Sequence, residues 1–127
     1  MIRDVLFDAL ASRPDDSIVF RGATADWSAQ AVRAEVERLA ARLLRKQVVA
    51  LLADNSPEWA LTDLAALRAG TALLPLPTFF TPAQLQHALN QSGADLIVTD
   101  QPERIAALDI GFSAMRSEGS LHWMTRT

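Results

Sequence analysis

The segment "QVVALLADNSPEWALTDLAALRAGTALLPLP", residues 47–77, contains two short aliphatic runs separated by a longer amphipathic stretch. The first run, "VVALLA" (48–53), is apolar at every position, which is typical of a strand covered on both faces in a parallel sheet. The second run, "TALLPLP" (71–77), ends at Pro75 and Pro77, neither of which can donate a hydrogen bond to a neighbouring strand. The segment therefore predicts two strands of one sheet.

The stretch between these strands carries boundary signals for a helix at both ends. Ser56 is a suitable N-cap, Pro57 stands at the first helical position and Glu58 lies in the first turn. Gly70 follows the last helical position, where a left-handed glycine commonly ends a helix. The whole segment predicts a strand–helix–strand unit with a right-handed crossover and parallel strands.

The same pattern recurs downstream of this unit. In "TPAQLQHALNQSG" (81–93), a Thr-Pro start with Gln three residues after the Thr predicts a capping box, and the final Gly predicts the helix end. "ADLIVTD" (94–100) predicts another buried strand. "QPERIAAL" (101–108) predicts one or two helical turns, and "SLHWMTRT" (120–127) predicts a last strand.

The upstream part of the chain predicts two helices around a short strand. "MIRDVLFDALASRPDD" (1–16) has acidic residues within its apolar pattern, so it predicts an amphipathic helix and not a signal peptide. "SIVF" (17–20) predicts a strand. "SAQAVRAEVERLAARLLRK" (28–46) predicts a long helix with one apolar stripe. From residue 28 onward, helices and strands are expected to alternate strictly.

This alternation predicts an α/β fold with a three-layer, doubly wound, flavodoxin-like parallel sheet. With 127 residues, half of them hydrophobic, the chain can form one core, and we expect residues 1–127 to be a single domain. The formal net charge of −3 is spread along the chain without a basic block, which argues against nucleic-acid binding. No apolar run approaches the roughly 18 residues of a membrane span, and there is no cysteine, so a cytoplasmic protein is expected.

The sequence contains no visible catalytic constellation. Its five glycines are too far apart to form a phosphate-cradling loop, and His87 has no second ligand at metal-binding spacing. Asp54 and Asp100 directly follow buried strands, at the sheet edge where α/β proteins bind ligands, but capping of turns explains acidic residues there more simply. We therefore predict no catalytic, cofactor-binding or metal-binding residue in this chain.

Residues 48–100 resemble the AMP-forming adenylate synthetases, a superfamily that includes acyl- and aryl-CoA synthetases, nonribosomal peptide adenylation domains and firefly luciferase. The resemblance lies in "NSPEW" (55–59) at a helix start, in "LRAG" (67–70) followed by Pro75 and Leu76, and in a strand that ends in Thr-Asp. Within this superfamily, "PLPTFFTPAQLQHAL" (75–89) is most similar to bacterial fatty-acyl or related acyl-CoA synthetases.

Two departures from the superfamily pattern indicate a divergent member. Ala29 and Gln30 stand where Glu and Leu are usual in an early helix. The loop between that helix and the first central strand is shortened to "RKQVV" (45–49).

The resemblance implies that the chain is the N-terminal subdomain of such an enzyme, incomplete relative to the full family domain. The implied reaction joins a carboxylate to ATP, giving an acyl-adenylate and pyrophosphate, and then transfers the acyl group to a thiol. ATP, Mg²⁺ and coenzyme A are thus implied for the parent protein. The family's phosphate loop, ribose-binding Asp, magnesium-binding Glu and C-terminal lysine all come later, so we expect this chain alone to be inactive.

Phe79 and Phe80 are the residues of this chain that are candidates for binding substrate. They follow the strand ended by Pro75 and Pro77, and the residue signals that mark helix and strand ends do not account for them. We expect the two rings either to pack against the remainder of the synthetase domain, which we favour, or to line an acyl pocket.

Two other readings of the chain stay open. The first is a free-standing, non-catalytic α/β binding or interaction module, and the second is a degenerate remnant of a synthetase. The expected partner is the remainder of the synthetase domain. Self-association through an exposed sheet edge or apolar face is also expected.

Overall fold

The computed structural model describes residues 2–126, and the side chains from residue 3 onward. Within that range the chain forms five helices: α1 (Ile2–Ala11), α2 (Ala29–Leu43), α3 (Pro57–Ala69), α4 (Pro82–Ser92) and α5 (Pro102–Ala106). It also forms seven strands: β1 (Ile18–Arg21), β2 (Asp26–Ser28), β3 (Val48–Leu52), β4 (Ala72–Pro75), β5 (Leu96–Thr99), β6 (Phe112–Glu118) and β7 (Leu121–Arg126).

The main sheet has five strands in the order β4-β3-β5-β7-β6. β3 lies at the centre of its parallel part and pairs with β4 on one side and β5 on the other. β7 then pairs antiparallel with β5, and β6 pairs antiparallel with β7. The predicted parallel sheet is confirmed for three strands, and an antiparallel hairpin extends it.

The expectation of strict alternation is wrong at this hairpin, because β6 and β7 follow one another without a helix between them. The sequence of β6, "FSAMRSE", mixes polar and apolar residues and lacks the continuous aliphatic run of β3. A turn at Gly119, whose φ is +63°, reverses the chain. The predicted last strand is confirmed as β7, although Thr127 of that prediction lies outside the described residues.

The strand predicted at "SIVF" is confirmed as β1, but it lies outside the main sheet. It pairs antiparallel with β2 in a separate two-stranded sheet. The Gly22 N–H donates to the Ala25 carbonyl across the turn at 3.0 Å. A Cβ at Gly22 would lie 2.4 Å from that carbonyl oxygen, so this turn needs a glycine.

Two hydrophobic clusters on opposite faces of the sheet make the fold three-layered. On one face, α2 and α3 pack against side chains that include Leu51, Val98 and Trp123. On the other face, α4 and Ile105 of α5 pack against side chains that include Leu52 and Ile97. Because β3 and β5 contribute to both clusters, their unbroken apolar sequences are explained, and the three-layer prediction is confirmed.

The helix boundaries around the central unit agree with the sequence signals. The Ser56 Oγ accepts a hydrogen bond from the Trp59 N–H at 3.1 Å. Thr81 and Gln84 form a reciprocal capping box, with distances of 2.8 and 3.2 Å. Gly70 and Gly93 end α3 and α4 with φ values of +74° and +67°. No helix in residues 2–126 is long and apolar enough to cross a bilayer.

Candidate functional site at the carboxyl edge of the parallel strands

The carboxyl ends of β3, β4 and β5 meet at one edge of the sheet. β4 and β5 lie on opposite sides of β3, and their crossover helices α3 and α4 cover opposite faces. This arrangement creates a switch point, which is where open α/β sheets bind ligands. The carboxyl edge therefore has the position of a ligand site in folds of this kind.

The switch point itself is bridged by a carboxylate. Asp100, at the end of β5, accepts hydrogen bonds from the Asp54 backbone N–H at 3.2 Å and from the Gln101 side-chain amide at 3.3 Å. These contacts tie the end of β5 to the end of β3. They favour the structural role predicted for Asp100.

A groove of about 410 Å³ opens on the β4 side of this bridge. We call it the carboxyl-edge groove. It is lined by residues that follow β3, by one aromatic residue of α3 and by the end of β4 with its following loop: Ala53, Asp54, Asn55, Trp59, Pro75, Leu76, Pro77, Thr78 and Phe79. The lining of the groove thus combines apolar side chains with the polar Asp54, Asn55 and Thr78, the usual composition of a site for a partly apolar ligand.

The two phenylalanines predicted as substrate-binding residues have different environments. Phe79 lines the groove and is 81% exposed, whereas Phe80 is half-buried and packs against the cluster beneath α4. Their rings meet edge to face, with centroids 5.7 Å apart. The structure therefore separates an outward-facing aromatic ring from an anchoring one, and substrate binding by either stays a prediction.

Arg104 of α5 holds the loop that carries both phenylalanines. Its guanidinium donates to the Thr78 carbonyl at 2.8 Å and to the Phe80 carbonyl at 2.7 Å. Sequence reasoning missed this residue, because it lies 24 positions beyond Phe80 and belongs to a short helix without a recognisable motif. Arg104 is a positioning residue for the groove.

The helix starts at this edge offer few backbone donors to an anion. α3, α4 and α5 begin with Pro57, Pro82 and Pro102, and a proline has no N–H. In α3, the Ser56 side chain also occupies the Trp59 N–H, and the Glu58 carboxylate already lies in the first turn. Fewer N–H groups than usual are therefore free at these helix starts to bind a phosphate group.

The described residues also contain no cluster of three or more His, Asp or Glu side chains placed to hold a metal ion. His87 is exposed on α4, and the His122 Nδ1 lies 3.3 Å from the Ser117 Oγ. Trp27 and Trp59 pack against the cluster that contains Trp123, as expected for core aromatics.

The comparison with known families identifies the class of protein. The sequence profile described as "AMP-binding enzyme" matches residues 6–122, which is nearly the whole chain. The chain belongs to this family of adenylate-forming enzymes.

Individual relatives agree with this assignment. Tyrocidine synthase 2 of Brevibacillus parabrevis is 31% identical over 99 residues, covering 74% of this chain and 3% of that protein. MatB of Rhodopseudomonas palustris, solved with ATP bound, matches with a TM-score of 0.67 and 25% identity, covering 81% of this chain and 22% of that one. The N-terminal subdomain of Klebsiella oxytoca NpsA matches with a TM-score of 0.70 and 20% identity, covering 81% of this chain and 27% of that one.

The chain corresponds to only a part of each of those proteins. It spans less than a third of each solved chain and only a few per cent of the curated synthase. The NpsA match, at 20% identity, shows the fold alone. Together the matches agree with the resemblance seen in the "NSPEW" and "LRAG" segments.

Proposed function

We propose that residues 1–127 form the N-terminal scaffold subdomain of an ATP-dependent, AMP-forming acyl-CoA synthetase or a related acid–thiol ligase. In such an enzyme a carboxylate attacks the α-phosphate of ATP, and the acyl-adenylate then reacts with a thiol. Membership of the AMP-binding family supports the reaction class. The branch assignment rests on the resemblance of residues 75–89 to acyl-CoA synthetases.

The proposal assigns no step of adenylation to this chain alone. The proline-led helix starts and the capped α3 offer few free N–H groups to a triphosphate, and the described residues contain no cluster of three or more His, Asp or Glu side chains that could hold Mg²⁺. The phosphate-binding and metal-binding groups of the enzyme must then come from the remainder of the domain, which is the proposed partner. Coenzyme A enters the proposal only through the family resemblance.

The observation that carries the proposal is the exposed ring of Phe79 in the carboxyl-edge groove. An aromatic ring that is 81% exposed leaves much apolar surface in water. In the complete enzyme we propose that Phe79 is covered, either by packing against the remainder of the domain or by the acyl part of the substrate. Phe80, already packed inside, supports the loop.

An exchange assay tests the inactivity of the isolated chain. We expect no ATP–pyrophosphate exchange above background with a panel of aliphatic and aromatic carboxylates, because the phosphate-binding groups are missing. Exchange that depends on the carboxylate and on this chain contradicts the proposal. The chain preincubated at a denaturing temperature serves as the background control.

The reading frame beyond Thr127 tests the parent enzyme. We expect it to encode a loop rich in Ser, Thr and Gly that ends in Lys-Gly, followed by the rest of a synthetase. A stop codon directly after Thr127 contradicts the proposal and favours a free-standing α/β module.

Substitutions in the extended polypeptide then separate the two roles proposed for Phe79. If the ring lines the acyl pocket, Phe79→Ala raises the KM for the carboxylate about tenfold while the KM for ATP changes little. If it packs against the remainder of the domain, the same variant lowers the melting temperature and leaves both KM values unchanged. Phe79→Leu, which keeps an apolar side chain, is the matched control.

Self-association is a further part of this proposal. β6 is an edge strand of the sheet, and its Met115 is 55% exposed. We expect size-exclusion chromatography to show a dimer that Met115→Lys converts to a monomer. A monomeric wild-type chain at high micromolar concentration contradicts this expectation.

A further inference from the structure

A second groove, of about 380 Å³, lies between the C-terminal end of α2 and the β6–β7 hairpin. We call it the basic cleft. Its lining combines three cations with apolar side chains: Arg42, Lys46, Arg116, Leu96, Met115 and Trp123. Lys46 and Leu96 lie near the amino ends of β3 and β5, so the basic cleft and the carboxyl-edge groove open at opposite edges of the sheet.

The charges around the basic cleft are not balanced. The Glu118 carboxylate accepts a hydrogen bond from Arg38 at 2.8 Å, forms an ion pair with Arg42 at 2.8 Å and lies 3.3 Å from the Arg116 Nε. Arg38 also pairs with Glu35, at 2.9 Å between Nη2 and Oε2. Hydrogen bonds to Glu35 and, to a smaller extent, to Glu118 raise the pKa of Arg38 further above its usual value.

Lys46 adds a fourth cation to the same region. Among residues 2–126 no carboxylate lies within ion-pair distance of its ammonium group. The Asp95 carboxylate, beside Leu96, accepts hydrogen bonds from the Gln47 and Val48 N–H groups at the same edge. Four cations therefore face three carboxylates, a local excess of one positive charge in a chain whose formal net charge is −3. A local excess of positive charge over a groove attracts anions and concentrates them there.

The arginine side chains of the basic cleft are also held in position before an anion binds. The Glu118 side chain is only 8% exposed, and it holds Arg42 and Arg116 against the hairpin. Each guanidinium has five N–H donors and uses few of them on Glu118, so donors remain for a ligand. Cations that are already fixed lose little conformational entropy when an anion binds.

The apolar part of the cleft limits the kind of anion that fits. Trp123 and Leu96 are buried and form its floor, whereas Met115 is 55% exposed at its rim. A small inorganic ion leaves this surface uncovered, and an uncharged apolar molecule leaves Lys46 unpaired. A ligand with an oxyanion on an apolar body satisfies both parts.

We propose that the basic cleft binds an amphipathic anion, a carboxylate or phosphate group attached to an aliphatic or aromatic body. The oxyanion lies against Lys46 and Arg42, and the body covers Trp123 and Met115. This site is separate from the carboxyl-edge groove. It shares Met115 with the β6 edge proposed above for self-association, so ligand binding and dimer formation compete for that side chain.

The three tryptophans make the proposal testable by NMR on the full chain. Trp123 lines the basic cleft, Trp59 lines the carboxyl-edge groove and Trp27 lines neither. Their indole N–H signals, assigned with Trp→Phe variants, therefore report on two sites and one control position. The probes are octanoate, octyl phosphate, octanol and inorganic phosphate.

We expect octanoate, octyl phosphate or both to shift the Trp123 signal in a saturable manner that weakens as salt is added. The comparison of these two probes tells which oxyanion the cleft prefers. Octanol and inorganic phosphate should bind much more weakly. The proposal is overturned if neither amphipathic anion shifts Trp123, if only Trp59 responds, or if octanol binds as well as octanoate.

A matched pair of variants tests the role of Lys46. Lys46→Gln is expected to weaken binding about threefold to fivefold, the usual effect of one partly exposed charge. Arg45→Gln removes the same charge from the neighbouring position, which is exposed and does not line the cleft. An equal loss of affinity in both variants overturns the proposal, because net charge alone then explains binding.

Discussion

The parallel strands and the C-terminal hairpin belong to the same sheet but depend on different kinds of information. β5 is buried at every position and β3 at all but its first, and the boundaries of the helices between the parallel strands coincide with caps and glycines. β6 is mostly exposed or half-buried, and it is attached through pairing with β7 and through Glu118, which contacts Arg38 at a distance of 80 residues in sequence. The comparison shows that local patterns specify the parallel part, whereas long-range contacts place the hairpin.

The largest expected effect comes from a cavity in the parallel part. Leu51 of β3 is fully buried in the cluster under α2 and α3. We expect Leu51→Ala to lower the free energy of unfolding by about 2–5 kcal/mol, measured by urea denaturation. Leu44, which is 68% exposed, is the control, and its replacement by Ala should change stability by at most about 0.5 kcal/mol. Similar losses in both variants contradict the proposed core.

A smaller effect is expected at the anchor of the hairpin. Glu118→Ala leaves Arg38, Arg42 and Arg116 without their shared carboxylate, and we expect a loss of about 1–3 kcal/mol. Hydrogen exchange should show that amides of β6 and β7 lose more protection than those of β3. Glu35→Ala, which affects only Arg38, is the control and should cost at most about 1 kcal/mol. Equal loss of protection in β3 and β7 contradicts a separately anchored hairpin.

Substitutions at the C-terminal end of α3 test how much a local sequence signal contributes to the stability of the fold. Gly70 has a φ of +74°, and a Cβ built there meets no atom within 4 Å, so the cost of Gly70→Ala is conformational and not steric. We expect a loss of about 1 kcal/mol in thermal or urea unfolding. Gly70→Asn should cost less, because Asn tolerates the left-handed region. No difference between the two variants contradicts this explanation.

The smallest effect is expected at Asp63 on α3. Partial burial raises the pKa of its carboxyl, so the folded state binds the proton more tightly than the unfolded state. As pH rises from the unfolded pKa, near 4, through the raised folded pKa, the carboxylate ionises and the wild type loses a little stability. Asp63→Asn should therefore be slightly more stable than the wild type at pH 7 but not at pH 3. Melting curves at both values test this, and a variant less stable at pH 7 contradicts it.

Much of the fold follows from the sequence for physical reasons. Strands buried on both faces require continuous apolar runs, and helix ends require specific capping residues, so β3, α3 and α4 are predictable residue by residue. β6 is not, because an edge strand accepts polar residues and its register is set by β7. The candidate site divides in the same way: the position of Phe79 after β4 is visible in sequence, but the support of its loop by Arg104 is not.

The sequence by itself determined the three-layer class, the boundaries of α3 and α4, and membership of the AMP-binding family, because each depends on residues that are close together in the chain. The tertiary structure alone decided that an antiparallel hairpin extends the sheet, that Phe79 faces outward while Phe80 packs inside, and that three arginines surround Glu118. Each of these features depends on at least one pair of residues tens of positions apart, such as Val98 with Trp123, Phe80 with Arg104, and Arg38 with Glu118. Pairings of that kind are selected by the free energy of packing and charge burial in the complete fold, which no local pattern encodes.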